Sequence, residues 1–105
     1  MAAGAGGASV LAVQSHVVHG YVGNRAATFP LQLLGIEVDA LNSVQFSNHT
    51  GYPHFTGQRL QGSDLLELVR GLELNNLLPA YTHLLTGYIG SVSFLESTLQ
   101  VLARL

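Results

Sequence analysis

Cysteine and lysine are both absent from the 105 residues. Without cysteine there can be no disulfide, no thiolate metal ligand and no cysteine nucleophile. The only cationic side chains besides histidine are Arg25, Arg59, Arg70 and Arg104, and the formal net charge is -2. That balance leaves no electrostatic footprint for nucleic acid or an anionic membrane surface, and neither is expected as a partner. Charged residues make up 10% of the chain, against about 25% in an ordinary soluble domain. Long apolar runs are missing too. No stretch approaches the roughly 20 residues that a spanning helix needs. The opening "MAAGAGGAS" has no basic region, and the "VLAV" after it is too short for a secretory signal. A soluble, cytoplasmic protein is expected.

What remains is 48% hydrophobic and long enough for one domain. Residues 1–8 are Gly/Ala-rich with little side chain to bury, which predicts a disordered tail, leaving 9–105 as the folded part. "SVLAVQS" reads as a buried strand and "HVVHGYVG" as a glycine-punctuated loop. Asn24 is placed to cap a helix through "RAATFPLQLL" that stops at Gly35. "IEVDAL" is a second strand. Ser63 caps a second helix with Leu65, Leu68, Val69 and Leu72 on one face, and "YTHLLT" is a third strand. Ser93 and Glu96 form a capping box before a last helix whose Leu95, Leu99 and Leu102 share a face. That helix ends at Arg104-Leu105 with no stop signal, and the small sheet with its scarce charge suggests a covering partner.

Strands alternating with helices give an α/β fold with about three parallel strands. Ligands of such sheets bind beyond the carboxyl ends of the strands. This brings Ser15/His16, the segment Gln45–Phe55 and Gly87/Tyr88 to one edge. In "FSNHTGYPHFTG", Phe46, Tyr52 and Phe55 offer flat apolar surface, and Ser47, Asn48, His49 and Thr50 offer directional polar groups. The mixture suits a flat heteroaromatic ligand, although a packed surface loop has the same composition.

Other candidates point to less. Gly20 and Gly23 precede a helix but match no phosphate-binding motif, and a tight turn explains them. His16, His19, His49, His54 and His83 have no metal-ligand spacing, so no metal site is expected. Ser15 and His16 cannot form a dyad, because strand neighbours point to opposite faces. Ser15 is therefore a ligand-binding hydroxyl or a strand-end cap. Asp39 is either a perturbed acid or an aspartate bonded to nearby backbone.

The blocks "VQSHVVHGYVGNRAATFPLQLLGIEVDALNSVQFSNHTGY", "GQRL", "LELNN" and "LLTGYIGSVSFL" resemble the N-terminal region of the pyridoxal kinases, members of the ribokinase superfamily. The resemblance runs from Val10 to Leu105. It implies a partial ribokinase-like three-layer fold and, for the parent enzyme, ATP-dependent phosphorylation of the 5′-hydroxymethyl group of pyridoxal, pyridoxine and pyridoxamine. A divalent cation such as magnesium and a homodimer are implied as well. By motif, Ser15 would bond the pyridine nitrogen and Thr50 the ring substituents. Val22, Phe46 and Tyr88 would pack on the ring, with Phe55 above it where relatives often carry tryptophan. His19 stands where an arginine is common. The family's ATP-binding half and its Gly-Thr-Gly-Asp segment, which holds the catalytic base, have no counterpart among these residues. No catalytic residue is assigned, and the chain alone is expected to be inactive. The alternatives are an interaction module pairing with full-length kinase subunits, or a truncated isoform without function.

Overall fold

A continuous apolar run opens the first strand, Ser9–Val17 (β1): Val10, Leu11, Ala12 and Val13 are all buried, as expected of a strand covered on both faces. The computed structural model describes residues 7–105, so most of the expected Gly/Ala-rich tail lies outside the described residues. The other elements are α1 (Asn24–Leu33), β2 (Glu37–Phe46), β3 (Gly57–Arg59), α2 (Gly62–Leu74), a 3-10 turn at Leu78–Ala80, β4 (His83–Thr86) and α3 (Val92–Arg104).

The sheet order is β3-β2-β1-β4. β1 runs parallel to both β2 and β4, giving the three parallel strands expected. A short fourth strand, β3, pairs antiparallel with the end of β2 through Val44↔Arg59, Gln45↔Gln58 and Phe46↔Gly57. Sequence patterning has no grip on three exposed residues, and β3 exists because Gly57 can hold φ +149° close to the β2 backbone. A Cβ there would come within 2.0 Å of the Gln45 carbonyl oxygen.

One face of the sheet carries the main core. Leu11, Val13 and Leu41 meet Leu65 and Val69 of α2, Phe94 and Val101 of α3, and Leu78 and Tyr81 between them. α1 packs along β1 and β2 and adds nothing to that cluster. Val10 and Ala12, alternating with the core residues, are buried on its side.

The caps differ from those expected. Gly23, not Asn24, is the cap residue of α1. Gln61 rather than Ser63 is the cap residue of α2, and its N–H donates to Asp64 Oδ2 at 2.9 Å. Ser91 rather than Ser93 caps α3, its hydroxyl accepting from the Phe94 N–H at 3.1 Å. In each case the serine or asparagine nearest the apolar run was one or two residues too far into the helix. A cap has to sit where the backbone is still extended.

Candidate functional site

The carboxyl ends of β1 and β2 are out of step by one residue. Gln14 pairs with Asn42 and His16 with Gln45, so two β2 residues, Ser43 and Val44, face the single residue Ser15. This bulge ends the simple alternation of β2. Below it Leu41 lies beside Val13, and above it Phe46 lies beside Val17. Odd-numbered residues of β1 thus line one face throughout, while β2 contributes first odd and then even positions.

The chain leaves β1 through a loop held from both sides. The Val18 and His19 N–H groups donate to the Phe46 and Ser47 carbonyls, each at 2.9 Å. At its far end Gly23 adopts φ +52° directly over Ser15. A Cβ at Gly23 would lie 2.6 Å from Ser15 Oγ and 2.3 Å from the Ser15 carbonyl oxygen, so only glycine fits. Next to it Asn24 is turned inward and buried. Its side-chain amide reaches the Ala12 carbonyl (3.3 Å), the Leu41 carbonyl (3.1 Å) and Asn42 Oδ1 (2.9 Å). One side chain thus fixes the start of α1 to both strands.

The loop after β2 is tied by its own polar groups. Ser47 Oγ donates to Asn48 Oδ1 at 2.7 Å and accepts from the Thr56 N–H at 3.1 Å. Asn48 Nδ2 donates to the His49 and His54 carbonyls. His49 Nδ1 accepts from the Gly51 N–H at 2.9 Å, so the neutral ring carries its proton on Nε2. The His49 and Tyr52 rings lie 4.6 Å apart.

These segments, with β3 and the loop after β4, border a half-open cavity of about 380 Å³ lined by Ser15, Val17, Val22, Val44, Phe46, His49, Thr50, Arg59 and Tyr88. It is the size of a small-molecule site, at the strand ends where parallel sheets bind ligands. Five sequence-predicted residues, Ser15, Val22, Phe46, Thr50 and Tyr88, stand together in this wall. Phe55 does not. It meets Phe46 instead, with ring centroids 5.3 Å apart at 53°. Sequence reasoning left out Val17, Val44, His49 and Arg59 as wall residues. His49 was visible as one of a polar cluster, whereas Val44 and Arg59 depend on the bulge and on β3.

The remaining candidates lie elsewhere. Asp39 accepts a hydrogen bond from the Tyr81 hydroxyl, near the opposite end of the strands. His83 Nδ1 is 2.7 Å from Thr82 Oγ1. Among the described residues no three His, Cys, Asp or Glu side chains gather as a metal site would need, and no helix is long and apolar enough to cross a membrane.

A mostly parallel, mixed four-stranded sheet with helices and this cavity at its carboxyl edge is part of a ribokinase-like fold. Within that class the similarity is to pyridoxal kinases. The chain is 66% identical over 96 residues to the pyridoxal kinase of Arabidopsis thaliana, covering 91% of this chain and 31% of that protein. A pyridoxal kinase structure from Leishmania donovani in complex with ADP and pyridoxamine superposes with a TM-score of 0.88 at 47% identity, covering 91% of this chain and 33% of the other. The pyridoxal kinase structure from Trypanosoma brucei gives 0.91 at 46% identity, covering 95% and 36%. No protein-family model matches the chain. The chain therefore spans about a third of the length of its relatives, and it aligns with their N-terminal portion.

Proposed function

We propose that these residues form the vitamin-binding side of a pyridoxal kinase, whose whole activity is ATP-dependent phosphorylation of the 5′-hydroxymethyl group of pyridoxal, pyridoxine and pyridoxamine. The observation that carries this reading is the 380 Å³ cavity with Ser15, Val22, Phe46, Thr50 and Tyr88 in one wall. In it the Ser15 hydroxyl bonds the pyridine nitrogen and Thr50 meets the polar ring substituents. Val22, Phe46 and Tyr88 hold the ring by its faces. Phe55 acts one step back, by fixing the orientation of Phe46. The pyridoxamine complex of the Leishmania relative supports the ligand class, and its ADP supports nucleotide use by the whole enzyme.

ATP and a divalent cation do not fit the residues present. No carboxylate lines the cavity, and phosphoryl transfer needs a cradle for the nucleotide, cations to offset its charge and a base for the hydroxyl. These residues bind and orient the acceptor, and no step of the transfer is assigned to them. A cytoplasmic homodimer, implied by the same resemblance, belongs to this proposal.

Calorimetric titration of the purified chain with pyridoxal, beside a kinase assay with pyridoxal, ATP and magnesium, tests the reading. Saturable binding that weakens at least about tenfold in Ser15→Ala or Phe46→Ala is expected, on the scale of one lost hydrogen bond or ring contact. Turnover at background is expected as well. No binding would overturn the vitamin site, and turnover well above background would overturn the division of labour.

A further inference from the structure

Arg59 ends β3 and stands opposite Val44 in the sheet. Its guanidinium carbon lies 5.1 Å from the centroid of the Phe46 ring, and that ring is itself a buried wall of the cavity. A guanidinium lying over a ring uses its flat face for the stack and keeps the N–H donors on its rim for a partner. No acidic residue lines the cavity, nor the smaller pocket beside Phe94 that shares Val44, Arg59 and Tyr88 with it. The acid nearest along the chain, Asp64, borders a groove on the other side of Arg59, and one of its oxygens already accepts from the Gln61 N–H.

The cavity thus carries one permanent positive charge without a negative one. His49, whose Nδ1 accepts from the Gly51 N–H, lines the same wall. Arg59 is itself exposed, so its attraction for an anion is screened in part and depends on salt. Its planar fork also matches the two oxygens of a carboxylate or phosphate. Of the other arginines, Arg25 sits over Tyr21, and Arg70 and Arg104 are on α2 and α3.

We propose that Arg59 is a specificity residue, making the cavity favour heteroaromatic ligands that bear an oxyanion, a ring carboxylate or a phosphate ester, over neutral ones. The proposal rests on the reading of the cavity as a vitamin B6 site. The test is titration of the 105-residue chain with pyridoxine, 4-pyridoxate and pyridoxal 5′-phosphate at low and at moderate salt, using the native chain, Arg59→Met and Arg59→Lys. In the native chain at least one anion is expected to bind about tenfold tighter than pyridoxine, the scale of one charge-assisted hydrogen-bonded pair. That ratio should shrink with salt, collapse in Arg59→Met, which keeps apolar cover on Phe46, and recover in part in Arg59→Lys. Preference for pyridoxate alone marks a carboxylate subsite, and preference for the phosphate alone marks an ester subsite. An anion-to-neutral ratio near one in the native chain, or a ratio unchanged in Arg59→Met, overturns the proposal while leaving the vitamin site standing. If none of the three binds, the vitamin site and the proposal fall together.

Discussion

Tyr81 and Asp39 lie 42 positions apart in the chain, yet the tyrosine hydroxyl donates to the carboxylate. For Asp39 the sequence offered a perturbed acid or a local backbone contact. The actual partner arrives through the β1–β4 pairing, which no local pattern displays. Burial, together with the hydrogen bond and the negative charge of Asp39, pushes the Tyr81 hydroxyl well above the usual tyrosine range. Its proton is therefore held more tightly in the folded than in the unfolded chain. The stability this contributes is complete below the unfolded tyrosine value of about 10 and is lost as pH rises beyond it, because the unfolded chain then releases the proton first. Tyr81→Phe should cost about 1 kcal/mol at neutral pH, since Asp39 is exposed and the bond partly screened. It should also flatten the alkaline decline. Urea midpoints from pH 7 to 11 check both, and parallel declines in the two proteins would refute the assignment.

At the scale of elements, strand and helix types were legible, and α2 turns Leu65, Val69 and Leu72 inward as spaced, but the inward face of α3 was not legible. Leu95, Leu99 and Leu102 do share a face of α3, as their spacing predicts, but that face is exposed at 43%, 56% and 55%. The buried side is Phe94, Ser97, Thr98 and Val101. The reason is the closeness of α2: a Cβ at Gly62 would lie 2.5 Å from Ser97 Oγ and 2.7 Å from the Ser93 carbonyl oxygen. Only small residues permit that approach, and hydrophobicity alone cannot reveal it. β2 is longer than "IEVDAL" and runs to Phe46, because β3 and the bulge keep its polar end paired. Asn24 belongs here as well, since its amide joins α1 to the sheet beneath the cavity floor. Asn24→Ala should leave the Ala12 and Leu41 carbonyls without that donor and cost about 1–3 kcal/mol. Chemical denaturation measures the loss, and a change within about 0.5 kcal/mol would show that the anchor is dispensable.

At the scale of the whole molecule, the resemblance to pyridoxal kinases and the edge of the sheet that holds the cavity could be read from the sequence. The wall was only partly legible, because Val44 and Arg59 enter it through long-range pairing. The small sheet and scarce charge suggested a covering partner, and the apolar surface left uncovered lies on two helices. The α3 stripe is exposed, as are Phe29 and Leu33 on α1 and Leu34 just after it. β4 ends the sheet with no strand on its outer side among the described residues. Apolar patches beside an open strand edge drive association. The 105-residue chain should therefore run above its 11.1 kDa mass in size-exclusion chromatography coupled to light scattering. Leu95→Glu with Leu99→Lys, an ion pair one turn apart, should shift it toward monomer without altering its circular dichroism. An unchanged distribution would place the association elsewhere.

The bulge at Ser43–Val44 has a consequence for how this chain can vary. It acts as a frameshift within β2, since core-facing positions are odd-numbered before it and cavity-facing positions even-numbered after it. Leu41 and Phe46 therefore look out on the same side of the sheet from different frames. Removing one residue at the bulge would restore simple alternation and keep Phe46 beside Val17, whereas pairing every residue of β2 without the bulge would turn Phe46 to the other face. The surplus residue thus gives β2 room to lose one position there without turning the cavity wall around.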